Sequence, residues 1–201
     1  MKKNIVLSGL VAGSLLFLGL CGTVQAEPKL VDDFKGPNNL LGGRTNVYQQ
    51  APSRALFKKV ETDRGPALMI RFDKKNTGGP YESGGWCGYY TLLKVGDTYF
   101  DATPYKSLTF WVKGEKGGEN FKIGMADQHW EQAGDSVKSE EIGTYLKAGQ
   151  VTTEWQKAVI PMDAFFVEYK EIASIAICFE GDCFPDGSGA GSVYIDELSF
   201  E

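Results

Sequence analysis

The feature that most constrains the fold is a succession of short strand-like runs separated by turn residues, with almost no helical periodicity. Two of the runs alternate cleanly, so that Leu108, Phe110 and Val112 face one way, as do Phe121, Ile123 and Met125. Such spacing predicts an antiparallel sandwich or barrel with one face of each sheet in the core. The runs are 30–34, 55–60, 67–72, 86–93, 107–112, 121–126, 155–160, 172–179 and 193–200.

The last run closes the chain with an acidic residue inside an apolar strand. Simple alternation places Asp196 on the same core-facing side as Leu198 and Phe200. A carboxylate on such a face must be paired, hydrogen-bonded or bound to a metal ion. The closing strand therefore predicts a sandwich whose ends are tied together.

The N-terminus has the pattern of a secretory signal peptide. Lys2 and Lys3 precede an apolar stretch, and Ala26 ends a small-residue cleavage site. We predict a signal peptide over 1–26 and an exported domain over 27–201, which is periplasmic, cell-surface or extracellular. An uncleaved anchor and lipidation at Cys21 are the alternatives.

Charge argues against two classes of partner. The chain has 21 Lys and Arg against 26 Asp and Glu, a formal net charge of −5, and no basic cluster. We therefore expect neither nucleic acid nor an anionic membrane surface as the ligand, and no membrane span in the mature chain.

Three cysteines remain in the predicted exported domain, and export permits disulfides. Cys178 and Cys183 flank a four-residue segment, so we predict a disulfide between them that staples a strand to a loop; Cys87 is left over. Three free thiols are the alternative.

Catalytic patterns are scarce. His129 is the single histidine, no Gly-x-Ser-x-Gly elbow is present, and no glycine-rich nucleotide loop opens a helix. A pair of carboxylates acting as in a glycosidase stays open, because acidic residues are plentiful. The sequence favours a protein that is not an enzyme.

Two aromatic clusters are the candidate ligand-binding residues, because Trp and Tyr combine an apolar ring with a polar group. Trp130 is the strongest single candidate, since it lies in a segment, 127–139, predicted to be a polar loop. Alternation puts Trp86 and Tyr90 on one face and Tyr89 on the other, so part of the first cluster belongs to the core, where we also place Trp111 and Trp155. The candidates are Trp86, Tyr89, Tyr90, Asp127, His129, Trp130 and Glu131.

Several segments in order carry a family resemblance. They are Leu30-Val-Asp-Asp-Phe34, Asn38–Gly43, Trp86-Cys-Gly-Tyr-Tyr90, Thr152–Phe165 and Val193–Phe200. Together they resemble the galactose-binding-like β-sandwich (jelly roll), and within it family eleven carbohydrate-binding modules and the complex I intermediate-associated domain. The resemblance implies an all-β fold with a single β-sandwich over 27–201.

The same resemblance implies a structural calcium where the first and last strands meet. The available carboxylates are Asp32, Asp33 and Asp196, with Asn39 and backbone carbonyls as further oxygens. Lys35 stands where related modules often carry an acidic residue. Turn capping by Asp32 and Asp196 is the alternative to a metal site.

The sequence therefore predicts an exported, non-catalytic module that binds a β-glucan-like polysaccharide or oligosaccharide. An interaction or assembly module with a protein partner is the alternative, followed by a jelly-roll glycosidase or lyase.

Overall fold

Two antiparallel sheets pack face to face in the computed structural model, which describes residues 26–80 and 84–201. Within these residues, eleven strands, one α-helix and four short 3₁₀ segments form a single sandwich. The strands are β1 (Lys29–Asp32), β2 (Thr45–Gln49), β3 (Arg54–Thr62), β4 (Gly65–Lys74), β5 (Cys87–Leu92), β6 (Ser107–Gly114), β7 (Lys122–Asp127), β8 (Val137–Glu141), β9 (Gln156–Pro161), β10 (Ile172–Phe179) and β11 (Gly189–Phe200), and the helix is α1 (Gln128–Ala133).

The strand order brings the first and last strands together. One sheet has the order β3-β4-β11-β6-β9, and β1 pairs with the C-terminal half of β11, where Leu30 lies opposite Ser199. The other sheet has the order β2-β5-β10-β7-β8. The predicted all-β sandwich, with its first and last strands tied, is confirmed.

The core lies between the sheets and contains the faces that alternation predicted. Leu108, Phe110 and Val112 are all buried, and so is the corresponding face of β7. Phe72 of one sheet stacks on Phe179 of the other with ring centroids 3.9 Å apart. Aromatic contacts of this kind join the two sheets.

Two strands were not predicted, and both are polar strands at the edges of the five-stranded sheet. β2 and β8 together contain one buried residue, Ser139, so neither shows an apolar alternation. The segment 127–139, predicted to be a loop, forms α1 and β8. The sequence also predicts a strand over 142–146, but Ile142–Tyr145 form a 3₁₀ turn.

A β-bulge in the closing strand reverses the predicted side of Asp196. The register of β11 against β6 shifts after Asp196, and Glu197 has φ +51°. The extra residue turns Leu198 and Phe200 back into the core and leaves Asp196 on the outer face of the sheet. The prediction that these three residues share one face is therefore wrong.

Arg64, in the β3–β4 turn, supplies the charge that Asp196 needs. Its Nε lies 3.2 Å from Asp196 Oδ2, and Nη2 lies 2.9 Å from Glu197 Oε2. The guanidinium also covers Trp111, with 4.1 Å from Cζ to the ring centroid. Trp111 and Trp155 are half-buried on this outer face, so their predicted place in the core is wrong.

The predicted Cys178–Cys183 disulfide is also wrong, because the three cysteines that the structure describes are buried free thiols. Cys178 is fully buried, and its thiol lies beside the Tyr48 hydroxyl. Cys183 lies in a 3₁₀ turn, with its sulfur 3.9 Å from Asp182 Oδ1. Each sulfur is enclosed in its own local environment.

The predicted signal peptide over 1–26 falls almost wholly outside the described residues and stays a prediction. Within 26–80 and 84–201, no helix is long and apolar enough to cross a membrane.

Replacing Arg64 tests whether its ion pair with Asp196 stabilises the fold. We expect Arg64→Ala to lower the free energy of unfolding at pH 7 by ~2 kcal/mol, because Asp196 keeps its buried charge without a partner. Burial already raises the pKa of Asp196, although the Arg64 hydrogen bond opposes the shift. A raised folded-state pKa means that stability falls as pH rises through it, so the loss should shrink as pH falls toward that pKa.

Urea unfolding at pH 7 and at a lower pH, close to the raised pKa of Asp196, measures the two free energies of unfolding. Arg71→Ala, an exposed residue of β4, is the matched control and should change little. Adding Asp196→Asn to Arg64→Ala should recover part of the loss; no recovery would show that the ion pair is not the cause.

Thiol titration tests the cysteine correction. Burial raises the pKa of Cys87 and Cys183 to about 11 and that of Cys178 to about 12. A domain beginning at Glu27 should therefore react slowly with Ellman's reagent at pH 8, and should release three equivalents at once when unfolded in guanidinium. If the unfolded, unreduced protein shows only one reactive thiol per chain, the predicted Cys178–Cys183 disulfide is present after all.

Candidate functional site

A groove of about 710 Å³ lies on the five-stranded sheet, on the face turned away from the core. The strand register explains its floor, since Tyr90 of β5 lies opposite Ala176 of β10, which in turn lies opposite Gly124 of β7. Small residues continue along the floor at Ser174 and Ala126. Large side chains rise only from the flanking positions, which leaves an open channel over the middle of the sheet.

Tyr48 depends on a glycine beneath it. It pairs with Gly88, and a Cβ added at Gly88 would lie 2.6 Å from Tyr48 Cζ and 2.2 Å from the Ile177 carbonyl oxygen. The ring therefore lies close over the strand, with its hydroxyl beside the Cys178 thiol. Burial and this thiol raise the pKa of the Tyr48 hydroxyl well above its ordinary value.

Three aromatic side chains form one side of the groove. Tyr48 comes from β2, Tyr90 from β5, and Trp86 from the residue just before β5; all three are half-buried and line the groove. A half-buried ring held by strands is a rigid apolar surface with a polar group at its edge.

Charged groups form the opposite side and one end. Lys138 Nζ of β8 lies 2.7 Å from Asp135 Oδ1 and 3.7 Å from Glu180 Oε1, and it donates to the Ser136 carbonyl at 3.0 Å. Gly124, opposite Lys138 in the sheet, has no side chain to obstruct this reach. The groove thus places hydrogen-bonding groups across from the aromatic rings.

Glu131, in the first turn of α1, is held in place by residues behind the groove wall. Its Oε2 accepts from the Tyr99 hydroxyl at 2.8 Å and pairs with Lys94 Nζ at 3.1 Å. The hydrogen bonds that Lys94 donates to Tyr99 and Glu131 raise the pKa of Lys94, which keeps its ammonium group charged. The Glu131 carboxylate is therefore a fixed acceptor at the groove wall.

The structure brings together three of the predicted ligand-binding residues, Trp86, Tyr90 and Glu131. The prediction that Tyr89 binds ligand is wrong, because Tyr89 is 2% exposed and packs edge-on against Phe57 in the core. The alternation that put Trp86 and Tyr90 on one face and Tyr89 on the other predicted this split.

The remaining predicted residues do not line the groove. Asp127 caps α1, with Oδ1 accepting from Trp130 N–H at 3.0 Å and Oδ2 from Glu168 N–H at 2.8 Å. His129 is exposed and meets the Trp130 ring edge-on at 5.4 Å. Asp127 therefore organises the start of the helix beside the groove.

Sequence reasoning missed Tyr48, Lys138 and Glu180. Tyr48 and Lys138 belong to the two unpredicted edge strands, and Glu180 follows β10 directly. Extending the alternation of β10 by one step from Ala176 and Cys178 would have placed Glu180 on the groove face.

The predicted calcium ligands do not gather around one point. Asp33 pairs with Lys35 at 3.1 Å and Asp196 pairs with Arg64. Asp32 accepts from the Phe34 N–H, and its Oδ2 is buried without a hydrogen-bond partner. In 26–80 and 84–201 no three His, Cys, Asp or Glu side chains form a metal-binding group, so this three-carboxylate set does not fit one calcium ion.

A positive charge is already present near Asp32. The Lys59 amino group donates to the Gly36 carbonyl in the loop after β1. Burial raises the pKa of Asp32, and Lys59 is among the groups that lower it.

Solved structures show the same fold. The family 11 carbohydrate-binding module of Clostridium thermocellum, in complex with a β-1,3-1,4-mixed-linked tetrasaccharide, is 15% identical with a TM-score of 0.63, over 86% of this chain and 94% of that one. The family 30 module of cellulosomal cellulase Cel9D-Cel44B from the same organism is 17% identical with a TM-score of 0.57, over 88% and 98%. Among curated protein sequences, none matches.

The sequence itself decides the family. The pattern of carbohydrate binding domain 30 matches residues 42–201, which include every groove residue described above. This chain therefore belongs to the family of carbohydrate binding domain 30, a family of non-catalytic carbohydrate-binding modules.

Proposed function

We propose that the groove binds a single chain of a β-glucan-like polysaccharide. The observation that carries the proposal is the placement of Tyr48, Trp86 and Tyr90 along one side, facing carboxylates and an ammonium group on the other. The mixed-linked tetrasaccharide bound by the family 11 module supports the same ligand class.

The two sides of the groove suit the two kinds of surface on a sugar ring. The C–H face of a pyranose is apolar and stacks on Tyr or Trp rings, while the hydroxyls around its edge need donors and acceptors. Glu131 and Glu180 offer acceptors, and Lys138 offers a donor. Affinity then comes from stacking and hydrogen bonds without a covalent step.

Binding without hydrolysis fits the state of Asp135, one of the three groove carboxylates. Burial tends to raise the pKa of Asp135, but the hydrogen bonds from Lys138 and the Ser136 N–H bring it below the ordinary value. A glycosidase needs one carboxyl that is still protonated when substrate binds. Asp135, held ionised by Lys138, is unsuited to that role.

We also propose that the module works outside the cytoplasm. The predicted signal peptide over 1–26 supports export. An exported module would have access to polysaccharides outside the cell. An N-terminal sequence beginning at Glu27 in exported protein would test the cleavage site.

Removing groove rings tests the binding proposal. We expect Trp86→Ala and Tyr90→Ala each to weaken binding to soluble mixed-linkage β-glucan about tenfold, or ~1.4 kcal/mol, through lost stacking. Affinity electrophoresis and calorimetry measure the loss, and melting temperatures check the fold.

Trp130→Ala is the matched control, since Trp130 is half-buried beside the groove without lining it. Its affinity should stay within about twofold of wild type. Equal losses in all three variants would contradict the assignment of the groove.

Chelation tests whether calcium contributes to stability. We expect equal melting temperatures in calcium and in EDTA, because Lys59 and Arg64 supply positive charge near Asp32 and Asp196. A drop of several degrees in EDTA would instead identify a structural metal site.

A further inference from the structure

The groove carries unequal charge. Among the described residues that line it, Glu131, Asp135 and Glu180 provide three carboxylates, and Lys138 provides the one ammonium group. Glu131 has its own partner behind the wall in Lys94. Among the lining residues, Lys138 is therefore the cation that offsets Asp135 and Glu180.

Lys138 is already occupied by the protein. Its ammonium is 2.7 Å from Asp135 and 3.7 Å from Glu180, and a third contact goes to the Ser136 carbonyl. The side chain is 23% exposed, so the group can touch a ligand, but two carboxylates flank its charge. An isolated lysine there would attract anions; this one presents a small excess of negative charge.

The negative charge around Lys138 separates two kinds of glycan ligand, uncharged and anionic. The hydroxyls of an uncharged glycan can donate to Asp135 or Glu180 and accept from Lys138. A uronate of the same backbone would bring a carboxylate within a few ångströms of these two residues, and their repulsion acts in a groove where water is partly displaced. The small residues on the floor leave room for the added oxygen, so charge rather than size sets the difference.

We propose that Asp135 and Glu180 make the groove selective for uncharged over anionic glycans, by neutralising Lys138 and adding negative charge of their own. This inference rests on the proposed glycan-binding function. Asp135 and Glu180 are then specificity-determining residues, and Lys138 works against the selectivity that they create.

A pair of ligands with one backbone isolates the charge. The full chain is titrated with a neutral mixed-linkage β-glucan and with the same glucan after partial oxidation of its primary hydroxyls to carboxylates. We expect the oxidised form to bind wild type at least about tenfold more weakly at low salt. The difference between the two affinities should become smaller at 0.5 M NaCl, because salt at this concentration screens charges over a few ångströms.

Two sets of near-isosteric variants move the selectivity in opposite directions. Asp135→Asn/Glu180→Gln should abolish or invert the preference, because Lys138 is left unpaired, whereas Lys138→Gln should enlarge it. A role in structure alone would not change the ratio of the two affinities with opposite sign. Far-ultraviolet circular dichroism and melting temperature check that each variant is folded.

The outcomes separate the two proposals. Wild-type binding of neutral glucan with an equal affinity for the oxidised form, or a preference unchanged in the double variant, overturns the selectivity proposal alone. Failure of wild type to bind the neutral glucan overturns the proposed function and the selectivity with it.

Discussion

The constraint on which both fold and site depend is the side-chain alternation of β10, the central strand of the five-stranded sheet. Ile175, Ile177 and Phe179 point into the sandwich and are at most 6% exposed. Ala176 and Cys178 point the other way and keep the groove floor low. One strand thus fills the core with its large residues and opens the groove with its small ones. A large residue at Ala176 would obstruct the channel while leaving the core pattern unchanged.

The groove is completed by elements that contribute little to the core. β2 brings Tyr48, β8 brings Lys138, and α1 brings Glu131, each from the margin of the same sheet. A central strand with an apolar face is restrained by packing, whereas an edge strand can carry polar side chains at low cost. The ligand-facing groups therefore come mainly from segments with the weakest hydrophobic pattern.

This division explains what could be predicted from the sequence. Apolar alternation identified the central strands and separated Tyr89 from Trp86 and Tyr90, because burial of one face leaves a period of two. Tyr48 and Lys138 were missed, since their strands lack that period. The bulge at Glu197 was missed because an inserted residue leaves no mark on composition. Pairings such as Arg64 with Asp196 arise only when the chain is folded.

A crystal structure of the protein with a β-1,3-1,4-mixed-linked tetrasaccharide would show whether the groove on the five-stranded sheet is the binding site. We expect the sugar rings to lie against Tyr48, Trp86 and Tyr90, with hydroxyls reaching Glu180 or Lys138. Sugar bound instead on the opposite sheet, at Trp111 and Trp155, or an empty groove at saturating ligand, would contradict this expectation.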